Sequence, residues 1–461
     1  MIMKKLFFTF VLVGTSMLAM AQASSAKQET TYRRSSLFTI MLPDDKLEGD
    51  QKTIVTETFL KKAFPDKYNN HCLKERVIDL AALKDLKVSA EEIAAAEKEA
   101  NPKKTGGIAK KGLGFMKKLT SGSSAESTTS AATPSGSVSD AEYIAKLQKY
   151  FADKHVAGRM VAKWFGGPET APKKATPIST SLIEERGLKT LSTDEINKAK
   201  QKVGEKEKLV AAAEYDLMGK TFVTVNRYSY LSAEDIIAIT TAVASAAGGG
   251  AIAAYGGAAL SAVLKGYFVK TTTYLFQLDL DKDAINKLVE KYNGNIVGLY
   301  TDKDIKLKYV GKTWDYAPAT MKLTAKDAAS DTLIAHATLR ATDGAIAKLQ
   351  KKYEQFKTLS TLHQDGDKLF AFVGTKEGCQ EGDKFDVLQK TLDDNGNEVF
   401  ETVGQVKIQK GQLWDNRPGA GQKLEGAATT KDKSGADPNL TFSGLGTSKK
   451  LWEGSLLRQV K

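Results

Sequence analysis

The segment 101–139 constrains the fold most, because it divides the 461-residue chain. It is rich in Lys and Gly and then in Ser, Thr and Gly, and it offers almost nothing to a hydrophobic core. We therefore expect a flexible linker there, with a small α+β domain before it at 22–100. In that domain the apolar run 36–42 predicts a strand, and the spacing of Ser89 and Glu92 predicts a capped helix start.

Beyond the linker, the residue patterns predict three further units and an α+β fold class. A helical segment is expected at 140–215, and an α+β domain at 216–360 carries a Gly/Ala-rich apolar insertion at 236–264. Short alternating runs separated by turn residues predict a small SH3-like β-barrel at 361–461. We thus expect a multi-domain protein in which mixed α+β units precede a barrel.

The first 21 residues predict export from the cytoplasm. Lys4 and Lys5 form a positive start, residues 6–20 are largely apolar, and 19–21 (AMA) fits the small-x-small pattern of a cleavage site. The apolar stretch is shorter than the roughly 20 residues that cross a bilayer, so an uncleaved membrane anchor is the weaker alternative. We expect a mature chain that begins at Gln22 and lies in the periplasm, at the outer membrane or outside the cell.

The charge of the chain bears on its partners. Its formal net charge is +12, from 67 Lys and Arg against 55 Asp and Glu, and only nine of the cations are Arg. Nucleic-acid readers favour Arg for its bidentate side chain, so we expect no nucleic-acid partner. Within the linker, residues 108–119 interleave lysines with apolar side chains, which could give peripheral contact with an anionic membrane surface.

The sequence carries no recognised catalytic signature. Cys72 and Cys379 are far apart, and either a disulfide in an oxidising compartment or two separate thiols fits them. The four histidines show no metal-ligand spacing, and no Gly-x-Ser-x-Gly elbow is present. We expect a protein that is not an enzyme and that uses no cofactor.

One stretch has the spacing of a calcium loop. Asp279, Asp281, Asp283 and Glu290 occupy positions 1, 3, 5 and 12 of such a loop. Position 6 is Ala284, however, where the sharp turn of the loop needs Gly. The alternative is an Asp-rich helix N-terminus, in which carboxylates offset the exposed backbone amides.

The insertion 236–264 is the least ordinary segment, with 29 consecutive uncharged residues. We predict two short helices folded on each other. Small residues repeat every four positions on one helix and would let another helix approach closely; they are Gly249, Ala253, Gly257 and Ser261. We interpret these four residues as an interaction site for the middle domain, a neighbouring subunit or a membrane.

Four stretches resemble uncharacterised exported proteins of Gram-negative bacteria. They are YRRSSLFTI at 32–40, FPDKYNNH at 64–71, VAKWF at 161–165 and LMGKTFVTV at 217–225. This group brings no established activity to carry over. The order of an α+β domain and a small barrel is more loosely similar to periplasmic assembly factors of the flagellar and curli-secretion type, and fold alone does not fix function.

Together these features predict a non-enzymatic exported protein that acts as a binding or assembly component of the cell envelope. Its expected partner is another protein or a second copy of the chain. One alternative is a membrane-inserting or channel-forming oligomer that uses the insertion. A second alternative is an unrecognised hydrolase whose pocket would gather distant residues such as His336, Asp365 and Glu381.

Overall fold

The computed structural model describes most of the chain. The residues that it describes are 32–100, 139–191, 216–232, 234–235, 237–238, 267–292, 294–319, 331–392, 398–420, 435–447, 451 and 453–460. Several expectations lie outside these residues: the signal peptide 1–21, the linker up to residue 138, the 192–215 part of the helical segment, and all of the insertion except 237–238, with Gly249, Ala253, Gly257 and Ser261.

Strands and helices alternate along the chain. The strands are β1 (Ser36–Pro43), β2 (Asn69–Asn70), β3 (Thr221–Ser232), β4 (Tyr267–Leu278), β5 (Leu307–Pro318), β6 (Ser360–Thr361), β7 (His363–Asp365), β8 (Lys368–Ala371), β9 (Lys384–Leu392), β10 (Glu398–Ile408), β11 (Ser443–Gly446) and β12 (Leu456–Gln459). The helices are α1 (Gly49–Lys61), α2 (Leu80–Asp85), α3 (Ala90–Ala100), α4 (Asp140–Asp153), α5 (Val156–Trp164), α6 (Ser181–Leu188), α7 (Lys282–Tyr292) and α8 (Asp331–Lys352).

The first sheet has five strands in the order β2-β1-β3-β4-β5. β1 runs parallel to β3, with Ile40 opposite Val225, whereas β3, β4 and β5 form an antiparallel meander. The small domain expected at 22–100 therefore does not stand apart, because its main strand lies inside the sheet of the 216–360 unit. Every residue of β1 is buried, and a strand of this kind needs partner strands and covering helices on both faces.

Helices cover both faces of this sheet. On one face α3, α4, α5 and α7 share a core with Ile40, Val225 and Phe276. On the other face α1 and α8 pack against Met41 and Tyr228. Helices that follow residues 101–138 in sequence thus cover a sheet whose first strand precedes them, and the described residues on both sides of this segment form one α+β unit.

The second sheet has seven strands in the order β6-β12-β9-β10-β11-β8-β7 and is barrel-like. It is nearly closed, because the run 360–365 pairs with β12 through its first residues and with β8 through its last. All of its strand pairs are antiparallel, and a bulge in β10 bends the sheet. The prediction of a mixed α+β chain with a C-terminal barrel is confirmed.

The barrel packs directly against the α+β unit. Tyr32, just before β1, lies in a small apolar cluster with Leu388 and Leu456 of the barrel. The ammonium of Lys351, near the end of α8, donates to the carbonyl oxygen of Gly378 at 2.6 Å. The two bodies therefore share a seam that runs along α8 and the N-terminal segment.

The two cysteines are free thiols, so the alternative of a disulfide between them is wrong. The Sγ of Cys72 accepts a hydrogen bond from the backbone N–H of Thr39 at 3.5 Å, beside the first sheet. Cys379 lies in the barrel core. Cys72 packs against the core of the first sheet and Cys379 lies in the barrel core, so the two thiols belong to different parts of the structure.

Among the helices in the described ranges, none is both long enough and apolar enough to cross a membrane.

Candidate binding surface

One face of the five-stranded sheet changes character toward the end of β3. Side chains on this face recur every second residue, as the period of a strand requires. Up to Val225 they are apolar and covered by helices, and beyond it they become cationic and aromatic. We call this region the cationic–aromatic surface, and its residues are Tyr143, Arg227, Lys270, Tyr274, Lys312, Trp314 and Tyr316.

Strand register brings these residues together although they are distant in sequence. Lys270 of β4 lies opposite Tyr316 of β5, and Tyr274 lies opposite Lys312. Tyr143 reaches the same face from α4, with its ring centre 5.5 Å from that of Tyr274. Residues at i, i+2 and i+4 of two antiparallel strands therefore build most of the surface.

Arg227 is held between a carboxylate and an aromatic ring. Its Nε lies 2.7 Å from Oδ2 of Asp44, outside good hydrogen-bond geometry, so the contact is mainly one of charge. Its guanidinium also lies 4.8 Å from the centre of the Tyr143 ring. The Asp44 side chain is only 12% exposed, which makes this pair stronger than an ordinary surface ion pair.

Lys270 is the unpaired cation of the surface. Its ammonium lies 5.4 Å from the centre of the Trp314 ring, and in the part of the chain that the structure describes no carboxylate lies within ion-pairing distance of it. Burial lowers the pKa of Lys270, and the neighbouring Arg227 and Lys312 lower it further. A half-buried ammonium without a counter-ion is unfavourable in the folded protein, and its position therefore calls for an explanation.

The third cation, Lys312, is paired. It forms a salt bridge with Asp140 at the start of α4, and its ammonium also lies 5.9 Å from the centre of the Tyr274 ring. Next to it, the rings of Trp314 and Tyr316 stack with centres 5.8 Å apart. The result is a flat aromatic wall beside the ammonium of Lys270.

A second polar group on this surface has no partner. The hydroxyl of Tyr143 is buried and finds no hydrogen-bond partner among the described residues. Burial raises the pKa of Tyr143, and it raises that of Tyr274 to about 12, so both phenols stay protonated at neutral pH. The Tyr143 hydroxyl therefore remains available as a hydrogen-bond donor.

These contacts leave one positive charge uncompensated. Arg227 is paired with Asp44 and Lys312 with Asp140, whereas Lys270 forms no ion pair among the described residues, and Asp44 and Asp140 act on it only from a longer distance. The arrangement can bind one anionic group, with ring faces beside it for an apolar or planar neighbour.

The histidines do not contribute to this surface. His71 is buried elsewhere, with Nε2 2.9 Å from the carbonyl oxygen of Met160 and Nδ1 2.7 Å from the guanidinium of Arg186. His363 stacks on Phe370 in the barrel. Both imidazoles are already engaged, that of His71 in hydrogen bonds and that of His363 in ring stacking.

The residues named for the hydrolase alternative make separate contacts. His336 lies beside Gly419, whereas a carboxylate oxygen of Glu381 accepts from the backbone N–H of Gly411. Asp365 lies on β7 at the rim of the barrel, where its side chain is exposed. No contact in the described part of the chain links these three side chains, so they do not form a single site there.

The calcium-loop candidates do not come together as a metal site. Oδ1 of Asp281 accepts from the backbone N–H of Ala284 at 2.8 Å and thereby caps α7, and Asp279 pairs with Lys308 at 3.4 Å. Because α7 begins at Lys282, Asp283 and Glu290 are separated by about 10 Å along the helix axis.

Within the described ranges, no group of three or more His, Cys, Asp or Glu side chains could hold a metal ion. The Asp-rich helix N-terminus is therefore the arrangement that the structure contains.

Sequence reasoning missed the cationic–aromatic surface, although a signal for it is present. Lys270 and Thr272 alternate with buried residues on β4, followed by the buried Tyr274, and Lys312, Trp314 and Tyr316 recur at every second position of β5. Two strands that both place Lys and aromatic residues on one face predict a polar, ring-lined patch if they are neighbours. The pairing of the two strands was the missing information.

The comparison with known proteins adds no family: no protein-family model matches the chain, and no curated protein matches it, so the functional conclusion depends on the geometry of the site.

Proposed function

We propose that the protein is an exported, non-enzymatic component of the cell envelope that binds an acidic segment of a protein partner through its cationic–aromatic surface. The observation that carries this proposal is the half-buried Lys270 ammonium, which lies among aromatic rings with no carboxylate partner in the described part of the chain. A Glu or Asp side chain of the partner would supply that counter-ion.

The composition of the surface supports a protein partner. Tyr, Trp and Arg are enriched at the energetic centres of protein interfaces, because each gives a large rigid contact with a polar end. Here Trp314 and Tyr316 provide the flat contact, and the Tyr143 hydroxyl provides a donor that is still unpaired. A carboxylate of the partner beside Lys270 would supply the counter-ion that its ammonium lacks among the described residues.

Location in the envelope and the kind of barrel are parts of the same proposal. The N-terminal 21 residues have the pattern of a secretory signal, which supports export. The short strands, the bulge in β10 and the closure through 360–365 support a barrel of the SH3-like kind. The resemblance to exported proteins and to periplasmic assembly factors agrees with a binding or assembly role.

A peptide titration tests the binding claim. A hexaglutamate peptide is titrated by calorimetry into the whole chain at fixed ionic strength, with hexalysine as the peptide control. We expect Lys270→Gln to weaken hexaglutamate binding at least about tenfold, because a hydrogen bond to a charged group contributes about 1.5–3 kcal/mol.

The matched control is Lys98→Gln, which removes an exposed lysine on α3. Its affinity for hexaglutamate should equal that of the unaltered chain. Equal losses in both variants would mean that the peptide responds to net charge alone, and the proposed surface would then be wrong.

A further inference from the structure

A second feature lies on the opposite side of the α+β unit, at its seam with the barrel. A cavity of about 40 Å³ opens between the end of α8, the residues that follow it, and strands β9 and β12. Three lysines line it: Lys67, Lys351 and Lys357. Val460, which is 37% exposed, lies at its outer rim, so the cavity can be reached from solvent.

Two of these lysines are bonded to neutral groups. The ammonium of Lys67 donates to the hydroxyl of Ser360, and that of Lys351 donates to the carbonyl oxygen of Gly378. Each ammonium has three donors, so hydrogen-bonding capacity remains on both. Their positive charges are not neutralised by these contacts.

The third lysine has a weak counter-ion. Lys357 pairs with Glu354 at 2.7 Å, but the Glu354 side chain is 62% exposed while that of Lys357 is 14% exposed. Water screens the carboxylate more than it screens the ammonium. The positive charge of Lys357 is therefore only partly offset on the cavity side.

One carboxylate lines the cavity, and it is already engaged. Oε2 of Glu377 accepts from the backbone N–H of Gly374 at 2.7 Å and from Nδ2 of Asn416 at 2.8 Å. These donors hold its charge on the barrel side. With Glu377 included, three positive charges face one negative charge across the cavity lining.

The remaining wall is apolar and fixes the size of an occupant. Val373, Cys379, Phe385 and Leu457 contribute side chains from the barrel. Burial raises the pKa of the Cys379 thiol to about 12, so it stays neutral beside the lysines. The cavity of about 40 Å³ has room for at least one water molecule and opens to solvent beside Val460, so an oxyanion bound there would keep part of its surface at the rim.

We propose that this cavity is a binding site for a free tetrahedral oxyanion, inorganic phosphate or sulfate, held by Lys67, Lys351 and Lys357. Lys67 comes from the loop before β2 and Lys351 from α8, while the barrel supplies the apolar wall. A bound oxyanion would therefore join the two bodies and stabilise the docked barrel.

The test measures phosphate binding by the whole chain. Phosphorus NMR of inorganic phosphate reports binding directly, as line broadening on addition of protein, and thermal unfolding reports the stabilisation. Ionic strength is held constant with sodium chloride, and sodium acetate serves as a planar-anion control. We expect a saturable rise in Tm with phosphate or sulfate and none with chloride or acetate.

Lysine variants locate the site. Lys351→Gln and Lys357→Gln should each weaken phosphate binding at least about tenfold, whereas Lys98→Gln should leave it unchanged. Circular dichroism confirms that each variant is folded, and Lys357→Gln provides the answer if Lys351→Gln fails to fold. Phosphate affinities that are equal in all four proteins, or a rise in Tm with acetate that equals the rise with phosphate, would overturn the proposal.

Discussion

Replacing Lys270 with Met should stabilise the protein, although it removes a residue with extensive contacts. The methionine keeps the length of the side chain and its contact with Trp314 but removes the charge. If a residue contributes to folding, its replacement lowers the stability of the protein. A residue retained for binding is often unfavourable in the free protein, and its removal then raises stability.

The magnitude follows from three contributions. Loss of the cation–π contact with Trp314 costs about 0.5–1 kcal/mol at a partly exposed site. The sulfur of Met regains about 0.3–1.5 kcal/mol against the same ring. These two contributions largely cancel. The variant also removes the desolvation penalty of an unpaired, half-buried polar group, about 1 kcal/mol of unfolding free energy, which corresponds to a rise in Tm of about 2 °C.

Alkaline pH gives this prediction a second readout. Because the pKa of Lys270 is lowered in the folded state, its charge destabilises the fold below that pKa, and the penalty disappears as pH rises toward the unfolded value of about 10.4. The advantage of Lys270→Met should therefore be smaller at pH 10.5 than at pH 7.5. Tyr274, with its pKa raised to about 12, does not titrate first.

The assay is thermal unfolding followed by circular dichroism at pH 7.5 and pH 10.5. Lys348→Met is the matched control, since Lys348 pairs with the largely buried Asp315 at 3.0 Å and its loss should cost about 1–2 kcal/mol. If Lys270→Met lowers Tm as much as Lys348→Met does, Lys270 is a structural residue and the binding argument fails.

Three further predictions concern the fold and export. Gly158→Ala should destabilise the protein by about 1–2 kcal/mol in urea unfolding although Ala favours helices, because the added Cβ would lie 2.3 Å from the carbonyl oxygen of Leu299; a stabilised variant would mean that α5 does not approach that turn so closely. Asp281→Ala should lower stability by about 0.5–2 kcal/mol through loss of the α7 cap, equally with and without calcium, and a calcium-dependent difference would revive the metal loop. Mass spectrometry of protein from the envelope fraction should find Gln22 as the first residue, and an intact Met1 there would contradict export with cleavage.

Local elements were predictable because their signals are local. The Ser89–Glu92 capping box is present in both directions, with Glu92 accepting from the backbone N–H of Ser89 at 2.6 Å and Ser89 accepting from that of Glu92 at 3.2 Å. The strand expected at 36–42 is β1, one residue longer. Apolar patterning and capping residues fix such elements without reference to the rest of the chain.

Long-range pairing could not be derived in the same way. β1 and β3 are separated by nearly 180 residues, and no residue in either strand specifies that Ile40 lies opposite Val225. The candidate surface shares this difficulty, since Lys270 and Tyr316 become neighbours only through register. Residue patterns identify faces of strands, whereas tertiary pairing decides which faces combine into a site.

The central claim is that the cationic–aromatic surface meets a partner in the cell envelope, and crosslinking in living cells tests it most directly. Tyr316 is replaced with the photoreactive aromatic p-benzoylphenylalanine, which keeps a ring at a half-buried position, and exposed Lys98 carries the same group as control. On irradiation we predict a discrete adduct with one envelope protein from position 316, absent from position 98 and strongly reduced when Lys270→Glu is added. Equal adducts from both positions, or an adduct at 316 that Lys270→Glu leaves unchanged, would contradict the account.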